Sequence, residues 1–308
     1  MLPVPGSDPR QSDLLCTSLR AGEPIDDDIA LVVATSGTTG TPKGAMLTAA
    51  ALTASASATH SWLGGPGTWL LALPAYHIAG LQVMIRSVLA GTTAVELDVS
   101  AGFDVGLLPA AVAAMGSGRR YTSLVAAQLA KALTDPAAAE ALASLDAVLL
   151  GGGPAPAAVL EGAAAAGISV VRTYGSSETA GGCVYDGHAL DGVRVRIDDG
   201  RVVLGGPTLA KGYRNPVAID PFAEPGWFRT DDAGALDDGV LQVLGRIDEA
   251  ISTGGLTVLP QPVEAALATY PGVAECAVFG LPDDRLGQRV VAALVLDPAA
   301  PPGSGAPT

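Results

Sequence analysis

Between Ile29 and Thr173 short apolar runs alternate with longer alanine-rich stretches, a rhythm that few folds accommodate. The apolar runs 29–34, 68–73, 93–97, 147–150 and 169–173 have the length and composition of buried strands. The stretches 49–60, 80–90, 105–115 and 156–166 between them read as helices. Strands alternating with helices argue for an α/β layer built on a parallel sheet. Ligands of such sheets gather beyond the carboxyl ends of strands, which is where the loop after residues 29–34 is expected.

After about Gly181 the texture changes to short alternating runs broken by turns. Asp198-Asp199-Gly200 lies between runs 193–197 and 201–204, and Asp237-Asp238-Gly239 between Leu236 and run 240–244, so each reads as a hairpin. This predicts a smaller β-rich subdomain. From Glu249 the pattern shifts again, to a helix near 262–269 and strands near 273–279 and 289–296, a small α+β portion. The final residues, 298–308, are Pro, Gly, Ala, Ser and Thr with nothing to bury, and an unfinished loop or disorder is expected there.

Composition narrows the function classes. The chain has 308 residues, 49% of them hydrophobic, enough for a buried core and more than one domain. Seventeen basic against 31 acidic residues give −14, which argues against nucleic acid or an anionic membrane as partner but leaves nucleotides open. Cys16, Cys183 and Cys276 show no metal or disulfide spacing. No apolar run reaches the ~18 residues of a membrane span, so no membrane insertion is expected and a cytoplasmic location is.

The loop Thr35-Ser36-Gly37-Thr38-Thr39-Gly40-Thr41-Pro42-Lys43-Gly44 follows the first apolar run. Glycines admit a bulky anion, hydroxyls and N–H groups donate to it, and Lys43 adds charge, so the loop reads as a phosphate cradle. A Walker A loop is excluded because Pro42 stands where its second glycine belongs, and no Gly-x-Gly-x-x-Gly follows the strand. A plain surface loop is the bland alternative. Further on, Tyr174-Gly175-Ser176-Ser177-Glu178-Thr179 follows run 169–173. An exposed glutamate there is suited to Mg²⁺, which takes one or two carboxylates plus substrate phosphates. Gly175-x-Ser177-x-Thr179 also stands one residue from a hydrolase nucleophile elbow, with Thr179 replacing the closing glycine.

These two motifs, with Gly151-Gly152-Gly153-Pro154, Trp227-Phe228-Arg229-Thr230-Asp231-Asp232, Gly245-Arg246-Ile247-Asp248-Glu249 and Ile251-Ser252-Thr253-Gly254-Gly255, resemble in order the signatures of the AMP-forming acyl-CoA synthetases, the adenylate-forming superfamily. The resemblance implies a large N-terminal domain, 1–248, that binds ATP and acyl substrate, and a partial C-terminal lid domain, 249–308. It assigns ATP contacts to Thr35, Ser36, Gly37, Thr38, Thr39, Gly40, Thr41, Lys43, Gly151, Gly152, Tyr174, Gly175, Ser176, Thr179, Asp232 and Arg246. Lys43, Glu178, Thr179 and His77 become the catalytic candidates, Glu178 the metal ligand, Asp248 the hinge and Gly254 a residue of the coenzyme A tunnel. Asp231 replaces a family glycine and brings an extra anion near the nucleotide. His60 and His188 are expected on a helix surface and in a loop.

Tyr76-His77-Ile78-Ala79-Gly80-Leu81-Gln82-Val83-Met84-Ile85-Arg86-Ser87 resembles one branch of that superfamily, the o-succinylbenzoate–CoA ligases of menaquinone synthesis. It implies acyl-substrate contacts from His77, Gly80, Gln82 and Arg86. Gln82 and Arg86 lie four apart and share a helix face. Arg86 either closes the helix end or pairs at the surface, or it faces the acyl pocket, where it would recognise the second carboxylate of an aromatic diacid. The implied activity is ATP- and Mg²⁺-dependent formation of an acyl-AMP, then of a thioester with coenzyme A. An enzyme that loads another aromatic or fatty acid onto coenzyme A or a carrier protein, and a non-catalytic nucleotide-binding remnant, remain as alternatives. A homodimer is compatible with the resemblance. The family's adenylation lysine sits in a C-terminal Gly-Lys segment, and this chain is expected to stop short of it.

Overall fold

The computed structural model describes residues 1–35 and 42–296. They divide into two compact units, Met1–Val195 with Leu204–Phe228, and Arg196–Val203 with Arg229–Thr308. In chain order the first unit runs α1 (Pro9–Ser18), β1 (Ile29–Val33), β2 (Ala45–Thr48), α2 (Ala49–Trp62), β3 (Thr68–Leu71), α3 (Ile78–Leu89), β4 (Val95–Glu96) and α4 (Leu108–Ala113). It continues with β5 (Arg120–Val125), α5 (Ala126–Leu133), α6 (Pro136–Ala143), β6 (Ala147–Gly151), α7 (Ala157–Ala165), β7 (Val170–Ser176), β8 (Gly181–Tyr185) and β9 (His188–Ala189).

The main sheet has seven strands in the order β4-β3-β5-β6-β7-β8-β9. From β4 to β7 every pairing is parallel, and β8 and β9 add on antiparallel. Its strands are apolar on both faces because both faces are covered. Leu70, Val148 and Leu150 pack with Leu108 and Val112 of α4, Leu129 of α5 and Leu142 of α6. The alternate residues Trp69, Leu71, Ala147 and Leu149 pack on the other face with Ala58 of α2 and Val83 of α3.

Four expectations are corrected. The run 29–34 does not join the parallel sheet: β1 pairs antiparallel with β2 in a separate two-stranded sheet. A parallel pairing needs a crossover of a dozen or more residues, and the connection 34–44 between β1 and β2 is shorter than that. The stretch after Lys43 is therefore strand β2 before it is helix α2. The β-rich part begins after β9, later than Gly181, since β8 and β9 complete the main sheet. Strand β5, an interior strand between β3 and β6, and helices α1, α5 and α6 were not anticipated.

Next comes a four-stranded sheet, β10 (Arg194–Asp198), β11 (Arg201–Gly205), β12 (Trp227–Asp237) and β13 (Val240–Arg246), paired in sequence order. Both expected hairpins are present. Asp199 and Gly200, like Asp238 and Gly239, have positive φ at the two central positions, the geometry that matches strand twist in a two-residue turn. The remainder is β14 (Ile251–Thr253), β15 (Leu256–Val258), α8 (Pro260–Leu267), β16 (Val273–Asp283) and β17 (Gly287–Leu296), forming a sheet in the order β15-β14-β17-β16. This bears out the expected α+β portion. The expectations for Ser36, Gly37, Thr38, Thr39, Gly40, Thr41 and for 298–308 lie outside the described residues. Among the described residues no helix is long and apolar enough to cross a membrane.

Candidate functional site

Glu178 lies in a single 3-10 turn, Ser177–Thr179, that joins β7 to β8. The glutamate expected to be exposed is buried, at 8% exposure. Thr179 is fully buried and its hydroxyl holds the turn together, accepting the Ser176 N–H at 2.9 Å and donating to Gly181 O at 2.7 Å. Ala180 leaves the turn at φ +52°. A nucleophile elbow requires strand, sharp turn and helix; strand, turn and antiparallel strand do not supply it, so the hydrolase alternative falls. A Cβ on Gly175 would stand 2.2 Å from Gly181 O, so only glycine allows β7 and β8 to approach this closely. Gly175→Ala is expected to cost about 1–3 kcal/mol of stability by overpacking, read as a lowered melting temperature.

Sequence reasoning missed the segment that supports this turn. Residues 210–215 run antiparallel to 43–46: Lys211 N donates to Met46 O, Met46 N to Gly212 O, Arg214 N to Gly44 O and Asn215 N to Lys43 O. Ala210 N donates to Glu178 O at 2.7 Å. The Tyr213 hydroxyl donates to Glu178 Oε1 at 2.7 Å, and Lys43 Nζ lies 5.3 Å from the centre of the Tyr213 ring. One tyrosine thus touches both charged residues that the two leading motifs single out. No periodicity marks 210–215. The available signal was an aromatic between Lys211 and Arg214 in a chain with only 4% aromatic residues.

Thr35 Oγ1, which opens the proposed cradle motif, is buried without a hydrogen-bond partner among the described residues. Glu178 offers hard carboxylate oxygen, and among the described residues the only hydrogen bond to its carboxylate is on Oε1. That donor set fits Mg²⁺, which is bound through few carboxylates. Tyr174 lies within β7 opposite Val184 rather than after the strand. Gly151 ends β6, where a Cβ would stand 2.6 Å from Thr173 Oγ1, and Gly152 follows at φ +84°.

Helix α3 places the acyl candidates. His77 is its N-cap residue, its ring against Tyr76 at 4.5 Å, and partial burial lowers its pKa. Gly80 packs so tightly on the loop between β3 and α3 that a Cβ would lie 2.4 Å from Pro74 O. Gln82 and Arg86 do share a face, and it is the buried one. Gln82 Nε2 donates to Ala180 O at 2.7 Å. Arg86 is 3% exposed and neither closes the helix end nor pairs at the surface.

The Arg86 guanidinium lies over the Trp69 ring at 4.9 Å and donates to the Tyr185 hydroxyl at 3.3 Å, which also meets Thr59 Oγ1 at 2.9 Å. Among the described residues no carboxylate pairs with it, and its Nε has no partner. Burial lowers its pKa, though arginine stays charged. His60, expected on a helix surface, is instead buried near this group, and burial together with Arg86 lowers its pKa. His188 is exposed against Trp62.

The second unit carries the remaining candidates. Asp232 and Arg246 are cross-strand partners in the β12–β13 ladder, with Arg246 Nη1 at 3.7 Å from Asp232 Oδ1. Arg246 is also bidentate to Asp248, at 2.9 and 2.7 Å, which with the nearby carboxylates raises its pKa. The extra anion, Asp231, is offset by Arg201 at 3.1 Å and Arg246 at 3.9 Å. Thr230, buried, accepts the Asp232 N–H and donates to Val202 O, holding this part of β12 against β11. Gly254 and Gly255 form the positive-φ turn between β14 and β15.

Residues 5–214 match the model of the AMP-binding enzyme family, and residues 262–305 match the AMP-binding enzyme C-terminal domain. The chain belongs to the AMP-binding enzyme family. Among its relatives is a probable 2-succinylbenzoate–CoA ligase of Mycobacterium tuberculosis, 74% identical over 96% of this chain and 78% of the relative. Among solved structures it is similar to the o-succinylbenzoate CoA synthetase of Bacillus subtilis in complex with its acyl-adenylate intermediate, at TM-score 0.76 and 32% identity, covering 88% of this chain and 60% of that one. The same synthetase in complex with ATP and magnesium ion gives TM-score 0.75 and 31% identity over 89% and 62%. The chain therefore spans about three-fifths of the solved relatives' length.

Proposed function

We propose that this AMP-binding enzyme activates o-succinylbenzoate with ATP and transfers the acyl group to coenzyme A. The observation that carries the substrate is Arg86, a buried guanidinium with no acidic partner among the described residues, on the helix face shared with Gln82. A buried cation is costly unless an anion meets it. A diacid keeps one carboxylate for Arg86, directly or through water, while the other reacts.

A carboxylate is a poor acylating agent because its charge repels nucleophiles and oxide is a poor leaving group. In the first step a substrate carboxylate oxygen attacks the ATP α-phosphorus in line and pyrophosphate leaves. Two anions must approach, so positioned donors and positive charge carry most of the catalysis. Lys43 and the hydroxyls of Thr35, Ser36, Thr38, Thr39 and Thr41 orient the phosphates, and Tyr174, Gly151, Gly152, Gly175 and Ser176 border the adenine. Asp232 and Arg246 take the ribose. Thr179 keeps Glu178 in its turn and lines the α-phosphate. Glu178 would hold Mg²⁺, which supplies charge that offsets the triphosphate. In the second step the coenzyme A thiol gives up its proton to solvent, and the thiolate attacks the acyl carbon and displaces AMP as the acyl–phosphate bond breaks. His77 and Gly80 border the acyl pocket, Gly254 the thiol path, and Asp248 is the hinge between an N-terminal part, 1–248, and a lid, 249–308.

The test is pyrophosphate release with a panel of carboxylic acids. o-Succinylbenzoate should give the highest kcat/KM, and its product should form with free coenzyme A. Faster release with a monoacid, or transfer only to a carrier protein, would overturn the assignment. The proposed setting is the cytoplasm, and sedimentation tests a homodimer. Lys43→Ala should be mild, raising the KM for ATP roughly 2- to 13-fold, the worth of about 0.5–1.5 kcal/mol, because hydroxyls and N–H groups share the phosphate load.

A further inference from the structure

We propose that Tyr213 is a positioning residue that presents the Glu178 carboxylate to the metal; this rests on the reading of Glu178 as the Mg²⁺ ligand. The segment grips Glu178 at two points. Ala210 N–H takes its backbone oxygen and the Tyr213 hydroxyl takes Oε1, both at 2.7 Å. The tyrosine is itself fixed. Its residue bridges to Ala45 in an antiparallel pairing, and its ring meets Phe222 edge-on at 5.6 Å.

A glutamate side chain has several rotatable bonds, and a ligand that must freeze them binds more weakly than one that finds them set. With Oε1 held by a neutral phenol, Oε2 is oriented, and among the described residues no cation forms an ion pair with the carboxylate. The same ring lies beside Lys43, so the hydroxyl and the ring serve different charges, and Tyr213→Phe separates them.

The measurement is calorimetric binding of a non-hydrolysable ATP analogue to the whole chain over a series of Mg²⁺ concentrations. Tyr213→Phe should raise the half-saturating Mg²⁺ concentration roughly 3- to 10-fold, in line with the cost of immobilising one side chain. Affinity in excess chelator should stay within about twofold, since the ring beside Lys43 is kept, and the melting temperature within about 2 °C, the shift of a sub-kcal/mol change. An unchanged Mg²⁺ dependence, with or without a loss of melting temperature, overturns the proposal. In a Glu178→Gln background the tyrosine substitution should add nothing, because coupled residues are not additive; an additive shift also overturns it. If Glu178→Gln alone leaves the Mg²⁺ dependence at the wild-type value, the metal reading itself fails. If only Tyr213→Phe is without effect, that reading stands and the positioning role falls.

Discussion

Glu178→Gln is expected to slow acid-dependent pyrophosphate release by roughly 10²- to 10³-fold, the usual cost of removing one preorganised electrostatic group. The substitution is close to isosteric, and the amide oxygen can still accept from Tyr213, so the turn between β7 and β8 should survive. What is lost is the full negative charge that a hard divalent cation requires. Nucleotide binding in chelator should change little, because Glu178 is an anion beside an anionic ligand and offers it no attraction. Turnover within about twofold of the wild type at saturating Mg²⁺ would remove Glu178 from the metal role, since a ligand swap that costs less than 1 kcal/mol is not a charge effect.

Arg86→Ala is expected to raise the KM for o-succinylbenzoate roughly 10- to 150-fold, the range for a charge-assisted hydrogen bond of about 1.5–3 kcal/mol. The KM for ATP should remain nearly unchanged. Arg86 is buried against Trp69 and Tyr185, so some stability is also expected to be lost, and the selective readout is the acid against ATP. An equal loss for both substrates, or for neither, returns Arg86 to a packing role. The substrate assignment would then rest on similarity to the ligases alone.

The parallel sheet was legible because its strands are apolar on both faces and separated by helical stretches. The hairpins were legible because Asp-Gly pairs tolerate the positive φ that both turns adopt. Strand β5 was not, for a physical reason. It carries Thr122 and Ser123 at buried positions, and Thr122 satisfies its hydroxyl by donating to Leu70 O at 3.0 Å. Polar residues paired inside a sheet erase the hydrophobic signal. Helix α5 then follows β5 without an intervening turn, so no breaker marks the boundary.

At the site, local motifs identified Lys43 and Glu178 but not what joins them. Tyr213 is distant in sequence from both, and its hydroxyl finds Glu178 only through tertiary pairing. Helical spacing placed Gln82 and Arg86 on one face, as observed, yet gave no measure of depth. Depth depends on Trp69 of β3 and Tyr185 of β8, which no local pattern brings together. The expectation that Glu178 is exposed failed similarly, because the segment covering it arrives from later in the chain.

That segment also sets an order of events during synthesis. Asn215 reaches back across 173 positions to donate to Pro42 O, and the residues before it pair with Gly44 to Met46. Until residue 215 has emerged from the ribosome, the segment 43–46 is paired on only one side. Closing so long a loop is slow and rewards the chain late. A nascent polypeptide therefore completes the pairing of 43–46 only once residue 215 has emerged, so a nucleotide bound there would stabilise the finished first unit rather than template its early folding.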